Sequence, residues 1–279
     1  MRTINQIIAV TWLSLSSIPR RFGSSAVAVV GVAAVVLVFA AVLSMAKGFE
    51  RTMLAAGSDD TAIIMRSGST SELNSGLSNE QTLIVANAPG VLKDGDRPIV
   101  SSELYVVVDV RKKSNNAEAN VPFRGIQSNG FEVRRNTRLA EGRMFETGKN
   151  ELIVGRAAQQ EFMGLDLGAK IRFGQTEWGV VGVFEADGSV SESELWTDVR
   201  VLQNAYRRGN SFQSVRVKLE SPASFEVLKA ALEEDPRIDP DVLTEKEYYS
   251  SQAEGLSQFI RLVGYPLTVL MAIGAVFGA

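Results

Sequence analysis

The 279-residue sequence predicts an α+β fold: an extracytoplasmic α/β layer with an inserted β-rich subdomain, flanked by transmembrane helices. Three observations predict it. Residues 24–45 (SSAVAVVGVAAVVLVFAAVLSM) carry no charge over 22 positions, and at about 1.5 Å per helical residue such a run crosses the roughly 30 Å hydrocarbon core of a bilayer. Residues 262–279 (LVGYPLTVLMAIGAVFGA) form a second apolar run of 18. Between the two, β-branched runs alternate with helix-patterned segments and are punctuated by Gly and Pro, the pattern of a mixed domain.

In chain order, Ile4, Ile7, Ile8, Thr11, Trp12 and Leu15 recur at helical spacing, so residues 1–23 are expected to lie as an amphipathic helix in the cytoplasmic interface. Trp12 suits that depth, Pro19 ends the helix, and Arg20 and Arg21 anchor the turn into the bilayer. A disordered leader is the competing reading. Residues 24–45 follow as the first transmembrane helix. The charges ahead of it are Arg2, Arg20 and Arg21, which puts the N-terminus in the cytoplasm and the next region outside. Lys47 and Arg51 on the far side, accompanied by Glu50, keep this bias modest. Ser44, Met45 and Ala46 have the spacing of a signal cleavage site, but the apolar run exceeds the roughly 7–15 residues of a secretory signal.

Residues 46–260 are expected to be the extracytoplasmic domain. Residues 61–65 (TAIIM) read as a buried strand and 66–72 as a loop; Ser78 caps a helix with Gln81 as its capping-box partner, and Pro89-Gly90 stops it. Residues 104–110 and 121–126 pair as a hairpin about a polar turn at 112–119. Strands are expected at 151–154, 170–173 and 177–184, with a helix at 156–162, so a β-rich insertion occupies about 111–200. Residues 197–208 read as a helix with Val201, Leu202 and Ala205 at core spacing. At 212–219, Val215, Val217 and Leu219 alternate with Arg216 and Lys218, the pattern of a half-buried strand. Pro222 opens a helix over 223–233, and Pro236 lies beyond its end. Residues 245–259 form a helix leading into 261–279, a second transmembrane helix that Gly264 and Pro266 can kink and that reads as truncated at the C-terminus.

Composition narrows the function. Hydrophobic residues make up 45 % of the chain, ample for a core, and the net charge is −3. Without Arg2, Arg20 and Arg21, 26 basic residues face 32 acidic ones, which gives no reason to expect nucleic acid. The chain has no cysteine and no histidine. Disulfides, thiolate sites, imidazole bases and the commonest metal ligand are therefore excluded. No cofactor, catalytic residue or metal ligand is expected. The stretch from Gly142 to Gly148, Lys149 and Asn150 brushes against a phosphate-binding loop, but its glycine spacing is one too long and Asn150 stands where a magnesium-binding hydroxyl belongs. Glu185, Asp187, Glu192 and Glu194 crowd one loop without calcium-loop spacing, and read as a solvated turn. Leu37, Phe39, Leu43 and Met45, with Gly31, Ala33 and Ala34, are expected to form a helix-packing surface on the first span.

The order of parts carries a resemblance. An interfacial helix, a span, an ectodomain of about 200 residues and a second span resemble the N-terminal half of a MacB/FtsX-type ABC transporter permease. Local sequence agrees: RLAEGRMF at 138–145 followed by ELIVG at 151–155 resembles the periplasmic core motif, as do Gly48 and Phe49 after the first span and TAIIMRSG at 61–68. Arg138, Leu139, Gly142, Arg143, Phe145 and Gly155 are thus family-motif residues, with turn geometry expected of the two glycines and core burial of Phe145. The resemblance implies a non-catalytic permease subunit in the bacterial inner membrane. Its partners would be a separate ABC ATPase and a second copy or sister permease, and ATP-driven motion in the cytoplasm would be transmitted to the periplasmic domain. Family members carry four spans, the later half holding the loop that engages the ATPase. A membrane-anchored sensor with a ligand-binding ectodomain is the alternative, and a secreted binding module with a cleaved leader is a third.

Arg143→Ala is expected to lower the melting temperature of the isolated ectodomain rather than to remove a ligand contact. An unchanged melting curve would count against this structural role.

Overall fold

The computed structural model describes residues 22–134 and 136–277. The interfacial helix expected over residues 1–23 lies outside the described residues except at its last two positions, which open α1 (Phe22–Ala56). After α1 the elements are β1 (Thr61–Arg66), a 3-10 turn (Glu72–Asn74), α2 (Asn79–Asn87), β2 (Lys93–Asp94), β3 (Arg97–Pro98), β4 (Val100–Arg111), β5 (Glu118–Ile126) and α3 (Gly130–Val133). Then come β6 (Arg138–Gly142), β7 (Glu151–Gly155), α4 (Arg156–Glu161), β8 (Lys170–Phe173), β9 (Thr176–Glu185), a second 3-10 turn (Val190–Ser193) and β10 (Leu195–Asp198). The chain closes with α5 (Val199–Ala205), β11 (Ser214–Lys218), α6 (Ser224–Glu233), β12 (Pro240–Thr244) and α7 (Glu245–Phe277). It divides into two units, one made of the residues up to Glu50 with those from Glu254, the other of Arg51–Ala253.

In the larger unit, ten strands form one mixed sheet in the order β12-β1-β11-β4-β5-β10-β7-β9-β6, with β8 beside β9; β2 and β3 make a separate hairpin. β5 with β10 and β7 with β9 are parallel, the other sheet pairs antiparallel. β4 holds the sheet together. No Gly or Pro interrupts it, so it runs for 12 residues; its first part pairs Val100–Glu103 with β11 and its second pairs Leu104–Arg111 with β5. The β-rich stretch expected at 111–200 therefore continues the same sheet.

Alternation along the strands sorts the side chains onto two faces. On one, Ala62, Ile64, Val100, Val215 and Val217 pack with Val85 of α2 and Leu228 and Leu232 of α6, and further along Leu104, Val106, Phe123 and Trp178 pack with Leu202 of α5. The opposite face buries Ile63 and Met65 with Tyr248 and Tyr249 of α7, and Ile126, Ile153, Phe184 and Trp196 with Phe145. Both faces are covered, and this changes the reading of β11. Arg216 is 1 % exposed, not solvated as the alternation of a half-buried strand implied.

Several elements match the sequence reading closely. Ser78 Oγ accepts from the Gln81 N–H at 3.2 Å while Gln81 Oε1 accepts from the Ser78 N–H at 3.0 Å, the expected capping box. The helix expected at 197–208 is shorter. Residues up to Asp198 form β10 between β5 and β7, and α5 starts only after it, because Asp198 Oδ1 caps the helix by accepting from the N–H groups of Arg200 (2.7 Å) and Val201 (3.2 Å). β6, β12 and the β2–β3 hairpin were not anticipated.

Most of α1 belongs to the smaller unit, and its Val29–Met53 segment is long and apolar enough to cross a membrane, by length and composition. The less exposed positions of α1 are Gly31, Val35, Phe39, Val42 and Ala46, at spacings of 4, 4, 3 and 4, the stripe of a packed helix. Phe39 stacks at a tilt on Tyr265 of α7 with ring centroids 5.9 Å apart. Leu37, Leu43 and Met45, expected in the packing surface, are exposed instead, because they fall off that stripe. The helical assignment of α7 runs unbroken through Gly264 and Pro266, and Thr268 Oγ1 donates to the Gly264 carbonyl at 2.8 Å. Its apolar part among the described residues is Leu262–Met271.

Gly155, at the end of β7, has an ordinary φ of −66°, so no turn demands glycine there. What demands it is contact: a Cβ would sit 2.2 Å from the Glu192 carbonyl oxygen. Gly155→Ala is expected to force the second 3-10 turn off β7 and to cost about 1–3 kcal/mol of stability, measured as a lowered thermal midpoint. An unshifted midpoint would show that the turn yields freely.

Candidate functional site: a buried arginine–glutamate network

The sheet face opposite α2, α5 and α6 carries a row of charge at its centre. Cross-strand register sets it up. Ser214 is paired with Glu103 between β11 and β4, Tyr105 with Arg124 between β4 and β5, and Arg124 with Trp196 between β5 and β10. Arg216, Glu103 and Arg124 thus project from three adjacent strands onto one face. Glu72 enters from the first 3-10 turn, Arg134 from the C-terminal end of α3, Glu194 from the residue before β10, and Glu245 from the first position of α7. None of these seven residues is more than 7 % exposed.

Arg124 is the hub. Its guanidinium donates to both oxygens of Glu72 (2.7 and 3.0 Å), to both oxygens of Glu194 (2.8 and 2.9 Å) and to Glu103 Oε2 (2.9 Å), and lies over the Tyr105 ring at 4.6 Å. Arg134 forks onto Glu103 at 2.7 and 2.6 Å and stacks over Trp196 at 4.7 Å. Arg216 reaches Glu103 (3.3 Å), Glu72 (3.5 Å), the Tyr249 hydroxyl (3.3 Å) and Glu245 Oε1. Ser214 Oγ and Trp196 Nε1 complete the set, donating to Glu72 (2.6 Å) and Glu194 (2.6 Å).

The electrostatics follow from burial opposed by pairing. Burial alone would raise the Glu72 carboxyl, but Arg124 and Arg216 outweigh it and hold it well below the usual range. For Glu103 the same contest, with Arg134, Arg124 and Arg216 on the ionised side, ends at about 2. Despite burial, the carboxylates around Arg124, and Tyr249 with Glu72 and Glu245 around Arg216, hold both guanidiniums in the charged form. Glu245 goes the other way: burial pushes its carboxyl up, and Arg216 and Arg134 only partly offset this. A polar cavity of about 450 Å³ opens beside Glu245 and Arg134, lined also by Ser58, Asp59 and Asn136. A smaller one of about 190 Å³ lies over Arg124 beneath Tyr105, Tyr248 and Tyr249.

In this arrangement every carboxylate of the network accepts from a guanidinium, Glu72 and Glu194 from Arg124, Glu103 from Arg134 and Glu245 from Arg216. Among the described residues no group of three metal-ligating side chains is positioned to hold an ion. What the network does is join elements distant in sequence, from the first 3-10 turn to the start of α7.

The family-motif residues lie to one side of it, around β6, β7 and β9. Arg138 is an exposed partner of Glu185 (2.7 Å) and Asp187 (3.4 Å). Leu139 Cδ1 lies within 3.0 Å of the point a Cβ on Gly182 would occupy. Gly142 has φ +74°, where a Cβ would also meet the Val181 carbonyl oxygen at 2.3 Å. Arg143 is half exposed and forks onto Glu151 at 2.7 Å to each oxygen, and that hydrogen bonding draws the Glu151 carboxyl down to about 2. Phe145 is buried with Phe184 and Trp196, and the Gly155 N–H donates to the Glu194 carbonyl at 2.9 Å. These last two connect the motif to the network.

The acidic loop departs from the solvated turn expected of it. Glu194 is 3 % exposed and bound to Arg124, Glu192 Oε1 accepts from the N–H groups of Ala186 (2.7 Å) and Gly188 (2.9 Å), and Glu185 pairs with Arg138 and Arg156. Arginines and backbone amides already occupy these carboxylates. Lys149, in the stretch that brushed against a phosphate loop, is tied to Glu146 at 2.6 Å.

Breaking a buried ion pair leaves its partner charged and unpaired, which costs about 3–5 kcal/mol. Glu103→Gln, which takes charge from three arginines at once, is expected to fall in that range by thermal or denaturant unfolding. A loss no larger than that of the exposed Arg138→Ala would refute a structural role for the network.

A family model for the MacB-like periplasmic core domain matches residues 25–235. Among solved structures, the periplasmic region of MacB from Actinobacillus actinomycetemcomitans is similar at 16 % identity and a TM-score of 0.51, over 74 % of this chain and 94 % of that one. The extracellular domain of the noncanonic ABC-type transporter YknZ from Gram-positive bacteria is similar at 16 % identity and a TM-score of 0.47, over 66 % of this chain and all of that one. A domain of a putative permease from Porphyromonas gingivalis has 14 % identity and a TM-score of 0.42 over 66 % and 87 %. No curated protein matches the chain. With the family model spanning most of its length, and a mixed sheet of the same fold as the MacB periplasmic region, the chain belongs to the MacB-like periplasmic core domain family of ABC transporter permeases.

Proposed function

We propose that this chain works as a permease subunit of an ABC transporter of the mechanotransmission type. ATP hydrolysis by a separate ATPase in the cytoplasm moves the periplasmic domain, and that movement exports or extracts a substrate. The observation that carries this reading is a periplasmic core domain of the MacB-like family joined to a helix that is uncharged over residues 24–45 and long and apolar enough to cross a membrane.

In this reading residues 24–45 and 261–279 are transmembrane helices, the N-terminus is cytoplasmic, and residues 46–260 lie in the periplasm of a bacterial inner membrane. The chain supplies no catalytic residue and no cofactor. Its partners are the ABC ATPase, a second copy of itself or a sister permease, and the lipid bilayer.

Affinity purification of the native gene product from detergent-solubilised membranes, followed by mass spectrometry, tests the proposal. An ABC ATPase is expected to co-purify in stoichiometric amount. Recovery of a sensor kinase instead, or of no ATPase at all, would overturn it in favour of an anchored sensor.

A further inference from the structure

Among the described residues the network sets three guanidinium groups, Arg124, Arg134 and Arg216, against four carboxyls, Glu72, Glu103, Glu194 and Glu245. Full ionisation of that set would leave it with one more negative charge than positive. Arg124 is committed to Glu72, Glu194 and Glu103, and Arg134 is forked onto Glu103. Glu245 shares Arg216 with Glu72, Glu103 and Tyr249. It is the least provided for of the four, and it lines the polar cavity of about 450 Å³, through which a proton can exchange without unfolding.

We infer that Glu245 is a proton-binding site, occupied in the folded protein at acidic pH and vacated as pH rises, which sets how firmly the first turn of α7 is held to the sheet. The groups facing it are Arg216 from β11, Arg134 from the end of α3, Glu103 from β4, Glu72 from the 3-10 turn, Tyr249 and Lys246 on α7 itself, and Asp59 across the cavity, which is paired with Lys246 at 3.0 Å. The helix start at Glu245 favours the ionised form modestly. Burial of an excess charge opposes it more strongly. No histidine occurs anywhere in the chain, so no imidazole titration, which ordinarily falls between pH 5 and 8, overlays that of Glu245.

The sign of the effect is fixed by linkage. A carboxyl raised above its ordinary 4.5 contributes stability that is full below that value and is lost as pH rises through the folded-state pKa. Glu72 and Glu103, both lowered, act oppositely and lose their contribution only as pH falls below about 4.5, outside the window.

The test is the thermal midpoint of the full chain in detergent, followed by tryptophan fluorescence, at pH 5 and pH 8. Wild type is expected to lose about 2–4 °C between the two relative to Glu245→Gln, whose midpoint stays level because its neutral amide mimics the protonated carboxyl at every pH. Glu245→Asp, which keeps a titratable group, is expected to retain a slope. Parallel profiles for wild type and Glu245→Gln would overturn the inference. So would a Glu245→Gln chain that fails to fold or is destabilised equally at both pH values, since the ionised form would then be the one the fold requires.

Discussion

The rest of the structure depends on the attraction between Arg124 and the three carboxylates around it. Desolvating a guanidinium is costly, and only a complete set of partners offsets the cost. Arg124 has that set, drawn from the first 3-10 turn, from β4 and from the residue before β10. Apolar packing would stabilise the same layers without regard to small displacements, whereas forked ion pairs tolerate few. Slipping β5 against β4 by one residue would carry Arg124 into the cluster of Leu104, Phe123 and Trp178 and put Phe123 among the buried charges in its place. Charge at the centre of the sheet therefore selects the register that apolar alternation alone leaves less sharply defined.

Much of this fold could be read in the residues. Where a local device fixes an element, as Ser78 and Gln81 do for α2 or the β-branched run does for β4, sequence and structure coincide. Elements held by neighbours were harder to see. β10 is four residues long and exists because β5 and β7 flank it; Asp198, the cap that ends it, falls inside the helical pattern of residues 197–208. β12 begins at Pro240, a residue suited to an edge strand, and its partner β1 lies about 180 residues earlier.

The network itself was the least visible feature, for a physical reason. Arg216 between Val215 and Val217 has the pattern of a strand with one wet face, and only the full sheet, with α7 laid over that side, shows the face to be dry. Of the residues singled out by the family resemblance, Gly142 adopts a positive φ and Arg143 reaches Glu151 eight residues on, whereas Phe145 packs with Phe184 and Trp196, contacts that no local pattern announces. Gly155 was recognisable as a required glycine, though its requirement is the backbone of Glu192 and not a turn. One clue to the buried charges was available. Glu103, Arg124 and Arg216 each sit inside or beside an apolar run of a strand, and charges so placed suggest partners on neighbouring strands.

The unbroken course of β4 has a mechanical consequence. At about 3.3 Å per residue it extends roughly 40 Å, hydrogen-bonded first to β11 and then to β5, with no glycine or bulge at which the sheet could fold on itself. The two halves of the sheet are thus joined through one continuous strand, whose extended backbone fixes the distance between the β11 end and the tip of the β4–β5 hairpin.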